Sequence, residues 1–189
     1  VATLRPNEGR FGGAVAVEEG TTNLVYDSGT IFRGTHISPD ELPAPPSVTP
    51  VFCYTWTHLS WDGDIALAKT FQAGDVVTIS GWIYESGPWA TLTVYGTENG
   101  TTKSFGNAFV PTGQIGWHYF EKTVVFQGET TNFRIEDGGW DYSNPDRADE
   151  SQIWLVNVQM EEKPFATPFV DGTRAAGALR YPQLLDKRR

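Results

Sequence analysis

Acidic residues gather at two places in this chain where paired carboxyl groups could catalyse a reaction. Asp62 and Asp64 flank a glycine, and a second group follows later in the chain: Glu136, Asp137, Asp141, Asp146 and Asp149. Two carboxyl groups on facing strands supply the acid and the nucleophile of a glycosidase. These acids fall in Gly- and Asn-rich stretches, where turns favour Asp for backbone reasons. The sequence therefore predicts no enzyme. A cation site within residues 137–149 is the alternative use of the later acids.

Three common enzyme motifs do not occur in the sequence. It contains no G-x-S-x-G, no phosphate-binding glycine loop and no H-E-x-x-H. Its three histidines, His36, His58 and His118, are scattered along the chain, and a zinc site usually needs three or four ligands. The single cysteine, Cys53, permits neither an internal disulfide nor a cysteine-based metal site.

One predicted strand, residues 77–84, has a face that could bind a sugar. Its aliphatic residues share one face, which we expect in the core, and the other face carries Thr78, Ser80, Trp82 and Tyr84. An aromatic ring covers the apolar C–H face of a pyranose, while hydroxyl groups bond the polar rim of the sugar. This face is therefore predicted to bind carbohydrate.

Other aromatic residues extend the predicted binding surface. A second strand, residues 90–95, places Tyr95 beside threonines on one face, and we expect the two strands to present their rings together. Loop residues complete the candidate set: Trp56, Trp61, Trp89, Trp140 and Tyr142. Rings of this kind also pack in cores or against a neighbouring module or protomer. We expect Trp117 and Trp154 in the core.

The spacing of strand signals predicts the fold class and the domain limits. The chain is rich in aromatic residues, glycine and threonine, which favours strands over helices. About nine short strand patterns are separated by turn signals, as is typical of a β-sandwich. We therefore predict an all-β domain over residues 14–163. Arms at 1–13 and 164–189 are expected to join it to flanking modules of the same polypeptide.

Charge and hydropathy argue against two classes of partner. The formal net charge is −9, whereas phosphate backbones and anionic membranes both require clustered lysine and arginine. No apolar run approaches the roughly 18 residues of a membrane-spanning helix. We therefore expect neither a nucleic acid nor a membrane as partner.

Four segments, taken in order, resemble a known kind of module. They are residues 15–24 (VAVEEGTTNL), 77–84 (VTISGWIY), 117–126 (WHYFEKTVVF) and 153–174 (IWLVNVQMEEKPFATPFVDGTR). Together they resemble the jelly-roll, carbohydrate-binding-module-like domains of modular phage-tail and bacterial surface proteins. The resemblance implies a jelly-roll β-sandwich of two antiparallel sheets, located in a virion tail or at a cell surface.

The resemblance also implies a structural calcium ion. In such domains a Glu near the first strand and an Asp on the last strand supply oxygen ligands, which suit this hard cation. Glu18 or Glu19 matches the first position, whereas Asn157 stands where the Asp is expected. Calcium binding at Glu18, Glu19 and Asn157 is thus an expectation with one carboxylate missing.

The expected function is that of a non-catalytic structural or adhesion module that binds a cell-surface or cell-wall glycan. The alternatives are a glycan-specific carbohydrate-binding module attached to a glycoside hydrolase, and a glycosidase or lyase. Tail proteins commonly form trimers. Phe165, Phe169 and Tyr181 are therefore expected either to pack on a second chain of a homotrimer or to cover the edge of this domain's own core.

Overall fold

The chain folds as a jelly-roll β-sandwich, which confirms the predicted fold class. The computed structural model describes residues 20–26, 29–57, 63–87, 90–137 and 152–174. These residues form two five-stranded sheets and one two-stranded ribbon, and all strand pairs are antiparallel. Most adjacent strands within a sheet are distant in the sequence, so long-range contacts hold the sheets together.

The strands are numbered in chain order. The first sheet has the spatial order β2 (Ile31–Arg33), β5 (Asp64–Leu67), β10 (Thr130–Asp137), β7 (Leu92–Glu98) and β8 (Thr101–Phe109). The second has the order β3 (Thr35–His36), β4 (Cys53–Thr57), β11 (Gln152–Glu161), β6 (Val76–Glu85) and β9 (Gly116–Val125). The ribbon consists of β1 (Thr21–Thr22) and β12 (Thr173–Arg174). Helices in the described ranges are single 3-10 turns at Leu24–Tyr26 and Pro39–Glu41, and neither could cross a membrane.

Strand alternation builds the core between the two sheets. Val77, Ile79 and Ile83 of β6 are all fully buried, which confirms the predicted inner face of this strand. Burying each such side chain stabilises the fold by about 1.5–3 kcal/mol. Aromatic rings fill the space near the turns: Phe71, Phe126 and Phe133 have ring centroids between 4.8 and 5.7 Å apart.

Asn157 forms a bulge in the closing strand that keeps its apolar residues pointing inward. The register with β6 shifts between Val156 and Gln159, and Asn157 has a left-handed φ of 54°. The extra residue reverses the phase of the alternation, so Leu155 before it and Val158 after it both face the core and are fully buried. The side chain of Asn157 holds the preceding loop: Oδ1 accepts the N–H groups of residues 51 and 52 at 2.9 and 3.2 Å, and Nδ2 donates to the carbonyl of residue 49 at 2.9 Å.

The Asn157→Ala substitution is expected to lower the free energy of unfolding by about 3 kcal/mol, because it leaves three backbone groups without partners. Asn157→Gly removes the same bonds but relieves the left-handed φ, so it should cost about 1 kcal/mol less. Urea unfolding of the three proteins measures both differences. Equal stability of the wild type and Asn157→Ala would show that the loop is not held in this way.

The ribbon of β1 and β12 brings the two ends of the described chain together. Thr21 pairs with Arg174 and Thr22 pairs with Thr173, and the hydroxyl groups of the second pair are 3.2 Å apart. The chain therefore enters and leaves the sandwich at one point. We call this ribbon the stem.

A buried amide ties the stem to the closing strand. The side chain of Asn23 is fully buried, and its Nδ2 donates to the carbonyls of Val158 at 3.1 Å and Val170 at 3.3 Å. Its Oδ1 accepts the N–H groups of Val25 at 3.2 Å and Met160 at 3.0 Å. One side chain thus satisfies four backbone groups, one of them two residues away and three of them 135–147 residues away in the sequence.

A buried carboxylate fastens the exit segment, residues 162–172, to the outer face of the second sheet. Glu161 is fully buried and accepts the hydroxyl of Thr21 and both the hydroxyl and the N–H of Thr167, the last two at 2.6 and 2.9 Å. Gln159 donates to Glu161 at 2.6 Å and accepts the N–H of Val170 at 2.7 Å. The first part of the predicted C-terminal arm therefore packs on the sandwich.

Candidate functional site

Five aromatic rings share the outer face of the second sheet, where three form one row and two form a neighbouring pair. Cross-strand pairing aligns Trp154 of β11 with Tyr84 of β6 and Trp117 of β9, and it aligns Trp82 with Tyr119. The ring centroids of Tyr84 lie 5.7 Å from Trp154 and 5.4 Å from Trp117, and those of Trp82 and Tyr119 are 5.6 Å apart, all in edge contacts. We call these residues the ring strip: Trp82, Tyr84, Trp117, Tyr119 and Trp154.

The ring strip remains partly open to solvent. Tyr119 is 49 % exposed, and the other four rings have intermediate exposure. The expectation that Trp117 and Trp154 lie in the core is wrong, because both are in phase with Tyr84 and face outward. Their alternation with core residues such as Phe120 and Leu155 is the sequence signal that could have placed them.

Polar groups border the ring strip at two places. The indole Nε1 of Trp117 donates to the carbonyl of Ala44, in the Pro-rich loop after β3, at 2.8 Å. At the other end the Tyr119 hydroxyl donates to Glu121 Oε2 at 3.3 Å. Burial, followed by the nearby Glu121 carboxylate, raises the pKa of the Tyr119 hydroxyl above its ordinary value. The strip thus has an apolar centre and hydrogen-bonding edges.

Two residues of the predicted sugar-binding face are buried in the fold. Thr78 is fully buried, and its hydroxyl is 2.8 Å from that of Thr123 and donates to the carbonyl of Lys163 at 2.7 Å. Ser80 is 4 % exposed. The exit segment crosses this end of the face, so Trp82 and Tyr84 are open while Thr78 and Ser80 are covered.

The structure separates Tyr95 from the ring strip. Tyr95 lies on β7 of the first sheet, whereas Trp82 and Tyr84 lie on β6 of the second, so their outer faces point in opposite directions. The prediction that these two strands present their rings on one surface is therefore wrong. Arg134 lies over the Tyr95 ring at 5.4 Å. Of the loop candidates, Trp56 lies in β4 with only its backbone described, and the others lie outside the described residues: Trp61, Trp89, Trp140 and Tyr142.

Two of the candidate catalytic acids meet on the outer face of the first sheet. Asp64 on β5 and Glu136 on β10 are direct register partners. Their side chains therefore project side by side from one face of the sheet. Each has an arginine partner: Arg33 lies 3.8 Å from Asp64, and Arg134 donates to Glu136 at 2.6 Å. A glycosidase acid instead needs apolar surroundings that keep it protonated. The arrangement is that of a structural ladder of ion pairs.

The predicted calcium ligands receive little support from the described part of the chain. Glu18 and Glu19 lie outside it, and Asn157 does not fit the role of a ligand because its carbonyl oxygen already accepts two N–H groups. Within the described ranges, no three His, Cys, Asp or Glu side chains gather around a common point. Calcium binding through Glu18 and Glu19 stays a prediction.

A buried carboxylate shapes the loop beside the strip. Glu85 is 1 % exposed and accepts the N–H and hydroxyl of Thr112, both at 2.8 Å, and the N–H of Gly113 at 2.7 Å. His118 lies 3.5 Å away. Burial alone would raise the pKa of Glu85, but these hydrogen bonds and His118 outweigh it and lower the pKa below the ordinary 4.5.

The lowered pKa of Glu85 predicts a specific acid sensitivity. A carboxyl group with a depressed pKa in the folded protein contributes stability above its unfolded pKa and loses it as the pH falls through the folded value. We expect the melting temperature to fall below pH 4.5 less steeply in Glu85→Gln than in the wild type. Glu129→Gln serves as the control, because it removes the same charge at an exposed position. Its melting temperature should fall with pH as steeply as that of the wild type. Parallel slopes for all three proteins would contradict the assignment.

No family model matches this chain, and no curated protein matches it either.

Proposed function

We propose that this protein is a non-catalytic adhesion module that binds a glycan through the ring strip. The observation that carries the proposal is the set of five partly exposed rings on one face of β11, β6 and β9, three in a row and two in a neighbouring pair. Aromatic side chains are large and rigid, and they cover the apolar face of a sugar at a low cost in conformational entropy. Extended rows of rings suit a polymer, since consecutive sugar units can each contact one ring.

The position of the ring strip relative to the stem supports an adhesive role. Thr78 pairs with Glu161, which bonds Thr21 of the stem. Tyr84 lies further along the same strand, about 20 Å away at the usual rise per residue. The chain enters and leaves at one end of the sandwich, and Tyr84, Trp117 and Trp154 lie toward the other. Such a module would stand out from its polypeptide as a side branch, as on a virion tail or a cell surface, with flanking modules behind it.

Charge pairing on the first sheet favours a binding role over catalysis. Asp64 and Glu136 are two of the candidate catalytic acids and lie side by side, and each forms an ion pair with an arginine. An attached hydrolase module elsewhere in the polypeptide remains compatible with a carbohydrate-binding role for this one.

A second candidate function is self-association along the edge strand β9. Three large apolar side chains are about half exposed near this edge: Tyr119 at 49 %, Val125 at 51 % and Phe165 at 47 %. Phe165 precedes Ala166, whose N–H donates to Glu121 of β9, so it lies beside the strand. Phe169 instead contacts Tyr26 of the same chain at 6.5 Å, and Tyr181 lies outside the described residues. A trimer contact would therefore use Phe165 and the β9 edge.

The direct test is a binding screen of the wild-type protein against immobilised plant, fungal and bacterial polysaccharides, with solution mass measured on the same sample. We expect saturable binding to at least one glycan by a monomer. A trimer without glycan binding would favour the self-association function. If the protein is a monomer and binds no glycan, the module is a spacer between its neighbours.

A further inference from the structure

One end of the ring strip is bordered by a carboxylate. Glu121 lies two residues after Tyr119 on the same outer face of β9, and its side chain is exposed. The Tyr119 hydroxyl donates to Oε2 at 3.3 Å, and the N–H of Ala166 donates to Oε1 at 3.2 Å. These bonds hold the carboxylate beside the rings. They leave it further acceptor capacity, because an ionised carboxylate has about four lone-pair sites.

A second feature of Glu121 is that it has no ion-pair partner within the described ranges. Lys122, the next residue, faces the other sheet, with Nζ 3.3 Å from the position that a Cβ would take on Gly106. The cation–ring contacts of the described residues involve rings outside the strip: Phe71, Phe105, Tyr95 and Phe165. The formal net charge of −9 adds a repulsive field for anions.

We propose that Glu121 determines the specificity of the ring strip, and that the ligand is an uncharged, hydroxyl-rich glycan. This inference rests on the proposed function. A sugar seated on the rings would donate hydroxyl groups to the carboxylate, and hydrogen bonds to an ionised acceptor are stronger than neutral ones. A uronic acid or a phosphate-bearing glycan would place a second negative charge beside it, which discriminates against such ligands by repulsion.

The test compares three proteins by isothermal titration: the wild type, Glu121→Gln and the control Glu129→Gln. Glu129 is also exposed and lies in the loop after β9, away from the rings. The probes are the neutral oligosaccharides cellohexaose, mannohexaose and chitohexaose, and the anionic hexagalacturonate. We expect Glu121→Gln to weaken binding of the neutral ligand about tenfold, the usual effect of losing a charge-assisted hydrogen bond. The control should bind as the wild type does, and hexagalacturonate should bind at least tenfold more weakly than the neutral ligand.

Two outcomes separate this inference from the function on which it rests. Equal affinity of Glu121→Gln and wild type, or wild-type binding of hexagalacturonate as tight as that of the neutral ligand, overturns the role of Glu121 and leaves glycan binding in place. Absence of binding to every oligosaccharide overturns both.

Discussion

Replacement of Asn23 by alanine is expected to lower the free energy of unfolding by about 4 kcal/mol, the largest stability effect that we predict for one side chain. The side chain is fully buried and bonds four backbone groups, two N–H and two carbonyl. Alanine leaves these groups buried without partners, and each such group costs about 1–3 kcal/mol. Water entering the small cavity would recover part of the loss.

Urea unfolding followed by intrinsic fluorescence measures this effect, and limited proteolysis locates it. The matched control is Thr22→Ala, the neighbouring residue of the stem, whose exposed hydroxyl has Thr173 as its hydrogen-bond partner in the described structure. We expect the control to change stability by less than about 0.5 kcal/mol. In Asn23→Ala the protease should also cleave the exit segment at an earlier time than it cleaves the sandwich strands. A stable Asn23→Ala protein with a protected exit segment would contradict the fastening of the stem by this amide.

The Trp82→Ala substitution is expected to weaken glycan binding about thirtyfold, the largest functional effect. Trp82 contacts the Tyr119 ring and lies two residues before Tyr84 on the same face, so it links the two rows of rings. Aromatic residues at the centre of a binding surface commonly contribute 2 kcal/mol or more, which corresponds to about thirtyfold in Kd. The loss should appear mainly as faster dissociation.

Two variants separate the loss of a binding ring from general damage. Tyr95→Ala removes a ring of similar exposure from the outer face of the other sheet, and it should leave glycan affinity unchanged. Trp82→Leu keeps apolar volume but removes the flat ring, and it should bind almost as weakly as Trp82→Ala. Titration calorimetry with the polysaccharide selected by the screen, alongside melting temperatures, provides the comparison. If Tyr95→Ala weakens binding as much as Trp82→Ala does, the ring strip is not the site.

Local sequence pattern was sufficient for the fold class and for the inner face of β6. Alternation with a period of two is a property of each strand by itself, so Val77, Ile79 and Ile83 could be assigned to the core. The short strands β2 and β3 carry too few residues for such a pattern, and they form by pairing with the longer strands β5 and β4. The bulge at Asn157 could not be predicted from an alternation with a period of two, because one extra residue reverses the phase of the pattern.

The candidate site could be predicted only in part, because its members come together through cross-strand register. Trp82 and Tyr84 were visible as an aromatic face within one strand, whereas their alignment with Trp117, Tyr119 and Trp154 depends on which strands are neighbours. The assignment of β6 and β7 to different sheets is equally non-local.

The sequence of β6 does not predict that Thr78 and Ser80 are covered. This covering depends on the docking of the exit segment, which Glu161 and Gln159 hold through hydrogen bonds to Thr167 and Val170. The proline-rich composition of this segment excluded regular secondary structure but did not indicate where the segment would pack.

The central claim, that the ring strip is the glycan-binding surface, is tested most directly by mapping the ligand onto the protein. Nitrogen-labelled protein can be titrated with the oligosaccharide that the screen selects, and the indole N–H resonances followed by NMR. We predict saturable shifts for the indole signals of Trp82, Trp117 and Trp154, with no change at the backbone N–H of Tyr95 on the opposite sheet. Saturable shifts confined to residues away from the strip, with these three indole signals unmoved, would contradict the claim.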